Sequence, residues 1–251
     1  IMLAAVKAEG TTVITNAARE PEIVDLAGFL TRMGAKIKGA GSSVIVIDGV
    51  KRLNAVEYTI MPDRIVAQTY LISALITGGE VLLKNAIPSH INSGIAILNE
   101  MGAKIHINDN DIYLKSCDKI KNIHIIKTMP YPGFATDIQS PFMALASVAQ
   151  GTSVFVENMF ENRFRHVDEL VRMGADIKVE GRSAVVRGVK RLHGANVEAY
   201  ELRGGAALVM AGLNAEGRTE ISGIEFIDRG YQNIEGNLSK CGAKIKRIHI
   251  Q

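Results

Sequence analysis

Met33-Gly34-Ala35-Lys36-Ile37 is one of four copies of a single step, the others being Met101-Gly102-Ala103-Lys104-Ile105, Met173-Gly174-Ala175-Asp176-Ile177 and Cys241-Gly242-Ala243-Lys244-Ile245. In each copy a helix-like apolar run ends at Gly-Ala and passes into strand-like residues. Working outward, each step is preceded by a turn glycine, at Gly10, Gly79, Gly151 and Gly217, lying 24, 23, 23 and 25 residues upstream. The step glycines themselves are 68, 72 and 68 residues apart. A repeat of this length exceeds the units of common solenoids, so each copy is expected to be a small α/β subdomain with its own buried helices.

Hydrophobic periodicity fills in the units. In the first, 1–9 reads as helix, 12–16 as strand and 22–33 as helix, with a hairpin of 36–38 and 43–48. The second has helix 65–77, strand 80–85, helix 91–101 and a hairpin turning at Asn108-Asp109-Asn110-Asp111, strong turn chemistry. The third has helix 138–149, strand 153–157, helix 167–173 and strands 177–179 and 183–187; the fourth has helix 204–214, strand 219–222, helix 233–241 and strand 245–249. Lead strands are expected at 57–60, 122–127 and 197–200, which completes a β-α-β-α-β-β order. Three such units can set sheets outward around central helices. The run Ala144-Leu145-Ala146-Ser147-Val148-Ala149, apolar nearly all round, suits a buried helix.

The 251 residues, 47% apolar and 22% charged, suit a well-packed folded protein. A formal net charge of +3 leans mildly towards anionic small molecules, and aromatic residues are 5% with no Trp. No basic stripe with interleaved aromatics is present, which argues against nucleic acid. Cys117 and Cys241 stand in unrelated contexts and form neither a disulfide nor a metal framework, so a reducing, cytoplasmic compartment is the simpler expectation. No apolar run has the length of a membrane span. The chain opens at Ile1-Met2-Leu3-Ala4-Ala5-Val6, inside a helical apolar run with no N-cap, and is read as a fragment whose first unit is truncated.

Where repeats agree, scaffold explains them; where one copy carries unusual polar residues, a site becomes plausible. At the entrance to the first helix the copies read Pro62-Asp63-Arg64, Thr136-Asp137-Ile138 and Glu201-Leu202-Arg203. A recurring acid there has a plain use as an N-cap. Asp137 stands apart because it follows the stiff Met129-Pro130-Tyr131-Pro132-Gly133-Phe134 loop and precedes Pro141. At the exit from the middle strand, three copies place arginine beside a carboxylate: Arg19-Glu20, Glu161-Asn162-Arg163 and Asp228-Arg229. Surface ion pairs worth under ~1 kcal/mol are one reading. Guanidinium groups that grip a carboxylate or phosphate are the other. His90 and His166 fall in the same loops, where a polar contact is the simpler role.

Five ordered words carry a family resemblance: Asn16-Ala17-Ala18-Arg19-Glu20-Pro21-Glu22-Ile23-Val24-Asp25, Pro62-Asp63-Arg64-Ile65, Tyr131-Pro132-Gly133-Phe134 with Thr136-Asp137, Phe160-Glu161-Asn162-Arg163-Phe164 with His166-Val167, and Ile227-Asp228-Arg229-Gly230-Tyr231. Together they resemble the UDP-N-acetylglucosamine 1-carboxyvinyltransferases, enolpyruvyl transferases that open peptidoglycan synthesis. The resemblance implies an inside-out α/β barrel built from βαβαββ units, four of them present here. Residues 1–61 would be the incomplete last unit of an N-terminal domain, and 62–251 a C-terminal domain of three units. It implies transfer of the enolpyruvyl group of phosphoenolpyruvate to the 3′-hydroxyl of UDP-N-acetylglucosamine, with no metal and no cofactor. Asp137 matches the general base that contacts this hydroxyl, Arg229 the arginine that grips phosphoenolpyruvate, and Met159 a contact to the nucleotide-sugar. Arg203, Glu20 and Asp63 match polar positions near the cleft.

By the same likeness, the active-site cysteine loop, a lysine-asparagine pair and the uridine-binding segment lie upstream of Ile1. Neither Cys117 nor Cys241 inherits the cysteine's role, and the chain alone is expected to be inactive without the missing N-terminal part. Two words depart from the family pattern: Glu201 replaces a usual aspartate, and Gln139-Ser140-Pro141 a usual Gln-Ala-Gln. The shikimate-pathway enolpyruvyl transferases share the chemistry but fit 16–25 and 160–166 poorly. A non-catalytic paralogue or truncated product that keeps the scaffold for binding is the alternative.

Overall fold

The computed structural model describes residues 1–248. The first repeat holds α1 (Met2–Ala5), β1 (Thr11–Thr15), α2 (Pro21–Arg32), β2 (Lys36–Lys38) and β3 (Val44–Asp48). The second holds α3 (Arg64–Ile76), β4 (Glu80–Leu83), a 3-10 turn at Pro88–His90, α4 (Asn92–Glu100), β5 (Lys104–Asn108) and β6 (Asp111–Lys115). The third has β7 (Ile125–Lys127), a 3-10 turn at Thr136–Ile138, α5 (Gln139–Ala146), β8 (Thr152–Val156), α6 (Val167–Arg172), β9 (Asp176–Glu180) and β10 (Ser183–Arg187). The fourth has β11 (Asn196–Glu198), α7 (Leu202–Asn214), β12 (Glu220–Ser222), α8 (Ile224–Asp228) and α9 (Ile234–Lys240).

The Gly-Ala steps have one physical cause. Each glycine sits at positive φ after its helix (106° at Gly34 and Gly102, 91° at Gly174, 98° at Gly242), where an L side chain is strained. The following alanine amide reaches back to the helix, Ala35 to the Leu30 carbonyl at 2.9 Å and Ala243 to that of Leu238 at 3.0 Å. This Schellman cap satisfies orphan carbonyls and aims the chain into the next strand.

Internal contacts divide the chain into two units, Ile1–Pro62 with Pro130–Gly133, and Asp63–Met129 with Phe134 onward. In the smaller, β1-β3-β2 form an antiparallel sheet over a core of Val6, Leu30, Ile45 and Ile47. In the larger, α3, α5 and α7 pack on one another and carry the sheets β4-β6-β5, β7-β8-β10-β9 and β11-β12. The third repeat shows the full pattern: β7 lies parallel to β8, and β10 pairs antiparallel to both β8 and β9. Every residue of α5 is buried, as an apolar helix enclosed by others must be.

Several expectations fail locally. The helix expected over 1–9 stops at Ala5, because the carbonyls of Val6 and Gly10 bind Val50 and Gly49 beyond β3. No strand forms over 57–60. There Tyr58 donates to the Asp25 carboxylate at 2.9 Å and packs on Phe29, with Arg32 over its ring, so this segment covers α2 instead. Residues 245–248 are irregular, with Arg247 drawn to Asp228 and Glu235; His249, the end of that expected strand, lies outside the described residues. The short helix α8 was not expected.

Among the described residues, no helix is long and apolar enough to cross a membrane. None of their His, Cys, Asp and Glu side chains form a group of three suited to a metal.

Candidate active site

The three long central helices start at one end of the larger unit. At the far end, Asn214, the last residue of α7, donates to the carbonyl of Ile76, the last of α3, at 2.6 Å, so α3 and α7 run parallel. At the near end Tyr231, almost wholly buried, shares a 2.9 Å hydrogen bond with Thr69 of α3 and lies under the Arg203 guanidinium of α7 at 5.5 Å. Arg203 in turn lies 3.9 Å from Asp137 at the entrance to α5. The positive ends of helix dipoles gather where these side chains meet.

Three equivalent helix entrances carry an acid, and two of the three carboxylates cap. Asp63 accepts from the amides of Ile65 at 2.8 Å and Val66 at 3.0 Å. Glu201 accepts from Gly204 at 2.9 Å, so the longer side chain still reaches the cap position. Asp137 does not cap α5. Its Oδ1 accepts from Arg163 at 2.6 Å and its Oδ2 faces Arg203. The two arginine side chains are only 17% and 12% exposed, whereas that of Asp137 is 42% exposed. Buried guanidiniums thus flank a carboxylate with an open face. Arg163 Nε and Arg203 Nη1 are buried with no hydrogen-bond partner.

The other expected residues are placed differently. Met159 is 42% exposed just beyond β8, and its amide donates to Glu157 at 2.6 Å. Arg229 ends α8, exposed and without an ion pair among the described residues. Glu20 belongs to the smaller unit, at the start of α2, where its side chain does not cap the helix. The arginine-carboxylate pairs expected within single exit loops do not form. Arg163 crosses to Asp137, and Asp228 takes Arg247 from the tail, whose hydrogen bonds hold the Asp228 carboxyl below its usual range.

Sequence reasoning left three residues out of the site. Arg163 carried a signal in the exit-loop pattern. Tyr231 ends the fifth family word but carried no signal of its own, and Glu157 carried none, since it reads locally as a strand end.

His166 lies buried behind Arg163, with no full hydrogen-bond partner at either ring nitrogen and only a loose approach from the Arg163 backbone. Burial, then the Arg163 charge, pushes its pKa down to about 3 from the usual 6.5. The imidazole is neutral in the folded state while the unfolded chain protonates below about pH 6.5. Its share of stability is therefore intact above that pH and is lost as the pH falls towards 3, at about 1.4 kcal/mol per pH unit. Between pH 6.5 and 4.5 the parent should lose about 2 kcal/mol more than His166→Phe in urea unfolding. Equal acid slopes would refute this assignment.

A groove of about 1610 Å³ lies elsewhere, along β11, β12 and the tail, and contains none of the six expected residues. Among its lining charges Arg172 pairs with Glu169, Arg218 with Glu220, and Arg247 with Asp228 and Glu235.

Comparison with known proteins shows the family. The chain belongs to the EPSP synthase (3-phosphoshikimate 1-carboxyvinyltransferase) family, whose model matches residues 1–238. It is 57% identical over 247 residues to UDP-N-acetylglucosamine 1-carboxyvinyltransferase 1 of Caldanaerobacter subterraneus subsp. tengcongensis, covering 98% of this chain and 59% of that protein. It is 55% identical to UDP-N-acetylglucosamine 1-carboxyvinyltransferase 2 of Geobacillus kaustophilus, covering 98% and 58%. The chain thus spans less than two thirds of the length of these curated relatives. Its fold is similar to the crystal structure of the enolpyruvyl transferase NikO from Streptomyces tendae, with a TM-score of 0.87 at 24% identity over 98% of this chain and 58% of that one. The EPSP synthase from Acinetobacter baumannii gives 0.72, also at 24% identity, over 98% and 60%.

Proposed function

We propose that the protein containing this chain transfers the enolpyruvyl group of phosphoenolpyruvate to the 3′-hydroxyl of UDP-N-acetylglucosamine, releasing phosphate, in the first committed step of peptidoglycan synthesis. The observation that carries this is Asp137: of three equivalent acids it alone leaves its helix uncapped and turns to two arginines. The high identity to proteins named for this reaction supports the choice of acceptor.

In this reading Asp137 takes the proton of the 3′-hydroxyl as its oxygen bonds to C2 of phosphoenolpyruvate and C3 gains a proton. Loss of a C3 proton then expels phosphate. Fixed guanidiniums beside the reacting carbons stabilise charge as it develops and need no reorganisation to do so. Arg229, without an ion pair among the described residues, grips phosphoenolpyruvate, and Arg203 supplies a second cation. Met159 touches the nucleotide-sugar, with Asp63 bordering the cleft.

The architecture belongs to the same reading. Residues 62–251 form a three-unit C-terminal half of an inside-out α/β barrel protein, 1–61 close its N-terminal domain, and the setting is cytoplasmic. Half of the constellation then lies outside this chain. Residues 1–251 alone should release no phosphate above background with both substrates, while the natural gene product, at the length of its relatives, should turn over. Release by the 251-residue chain at a comparable rate would overturn the division of the site.

A further inference from the structure

Glu157 ends β8 as a carboxylate 1% exposed, and both of its oxygens are fully engaged. Oε1 accepts from Thr128 Oγ1 at 2.9 Å and from the amides of Met159 at 2.6 Å and Phe160 at 3.0 Å. Oε2 accepts from Thr136 Oγ1 at 2.8 Å and Gln139 Nε2 at 2.9 Å. A buried carboxylate is tolerated only when its lone pairs are met in this way, and a neutral residue would end a strand at lower cost.

The repeats show that the strand itself does not need it. Counting six residues from each turn glycine gives Asn16, Asn85, Glu157 and Gly223. The other three sit at positive φ, 51°, 55° and 68°, as local left-handed turns. One copy replaces that turn with a buried acid, and it is the copy that holds Asp137.

We propose that Glu157 is the positioning residue for the reacting carboxylate. Through Oε2 it fixes the Thr136–Ile138 turn that presents Asp137, and through Oε1 it fixes the residues that lead to Arg163. Base and guanidinium then meet at 2.6 Å in one geometry. This rests on the reading of Asp137 as general base and adds a residue to it.

Glu157→Gln separates the two sides. The backbone amides of Met159 and Phe160 cannot reverse roles, so the amide oxygen must serve them. The new NH2 then faces Thr136, whose hydroxyl can turn to accept, and Gln139, whose buried Oε1 has no partner and can flip towards it. The fold survives while the charged anchor of the Asp137 turn gives way to neutral bonds of reversed direction, which hold it less rigidly. In the full-length gene product, Glu157→Gln should lower kcat by at least about tenfold, since small misplacements of reacting groups carry large rate penalties. The KM for UDP-N-acetylglucosamine should stay within about threefold and the Tm within a few degrees, as expected when transition-state interactions alone are lost.

Thr136→Val keeps the carboxylate and removes one bond on the Asp137 side; it should reduce kcat in the same direction with unchanged KM, and it serves if Glu157→Gln does not fold. Turnover within twofold of the parent in the folded variants, or a loss matching the unfolded fraction, overturns the proposal. A dead Asp137→Asn beside normal Glu157→Gln and Thr136→Val sinks this inference alone. A silent parent, or an Asp137→Asn as fast as the parent, removes the underlying reading and the inference with it.

Discussion

Asp137→Ala in the full-length gene product is expected to cut phosphate release by about 10³-fold, within the range of a lost general base. The fold should be indifferent. Asp137 caps no helix, and a carboxylate whose side chain is 42% exposed contributes under about 1 kcal/mol through its ion pairs. Unfolding curves of parent and variant should therefore nearly coincide while turnover collapses. Asp137→Asn keeps the shape and should be almost as slow, because an amide cannot take the proton. A variant that retained a tenth of the parental rate would remove Asp137 from the chemistry and leave it as a brace for Arg163 and Arg203.

Arg229→Ala is expected to lower kcat/KM for phosphoenolpyruvate by about 10² to 10⁴-fold. Two charge-assisted hydrogen bonds at roughly 1.5–3 kcal/mol each account for that range, with tenfold per 1.4 kcal/mol. Because Arg229 is exposed and has no ion pair among the described residues, stability should change by no more than about 0.5 kcal/mol. Arg229→Lys should recover a part, since lysine restores charge but lacks the planar fork. A kinetic effect confined to UDP-N-acetylglucosamine would show that the guanidinium serves the other substrate.

The contrast between Arg229 and Arg203 shows what a sequence can disclose. The Gly-Ala steps were legible because a left-handed cap is a local requirement that glycine meets in every copy, so helix ends and strand starts follow from single residues. Asp137 was legible by comparison among repeats, since its neighbours at Asp63 and Glu201 define what an ordinary helix entrance does. The partners of these residues were not. Arg163 sits beside Glu161 in sequence yet bonds Asp137, and Asp228 turns from its neighbour Arg229 to Arg247 in the tail. Those choices depend on which loops tertiary packing brings together. Residues 57–60 had β-like composition, but the Tyr58 hydroxyl, bonded to the carboxylate and carbonyl of Asp25, and its ring contacts decided their course. Glu157 was silent for the same reason, because all five of its side-chain donors lie on turns or on other elements.

The most direct test of the central claim is a choice of acceptor. The full-length gene product is supplied with phosphoenolpyruvate and either UDP-N-acetylglucosamine or shikimate 3-phosphate, with phosphate release and product mass followed together. Release should require UDP-N-acetylglucosamine, in step with a nucleotide-sugar heavier by one enolpyruvyl group. Release driven by shikimate 3-phosphate, or none with either acceptor, would contradict it.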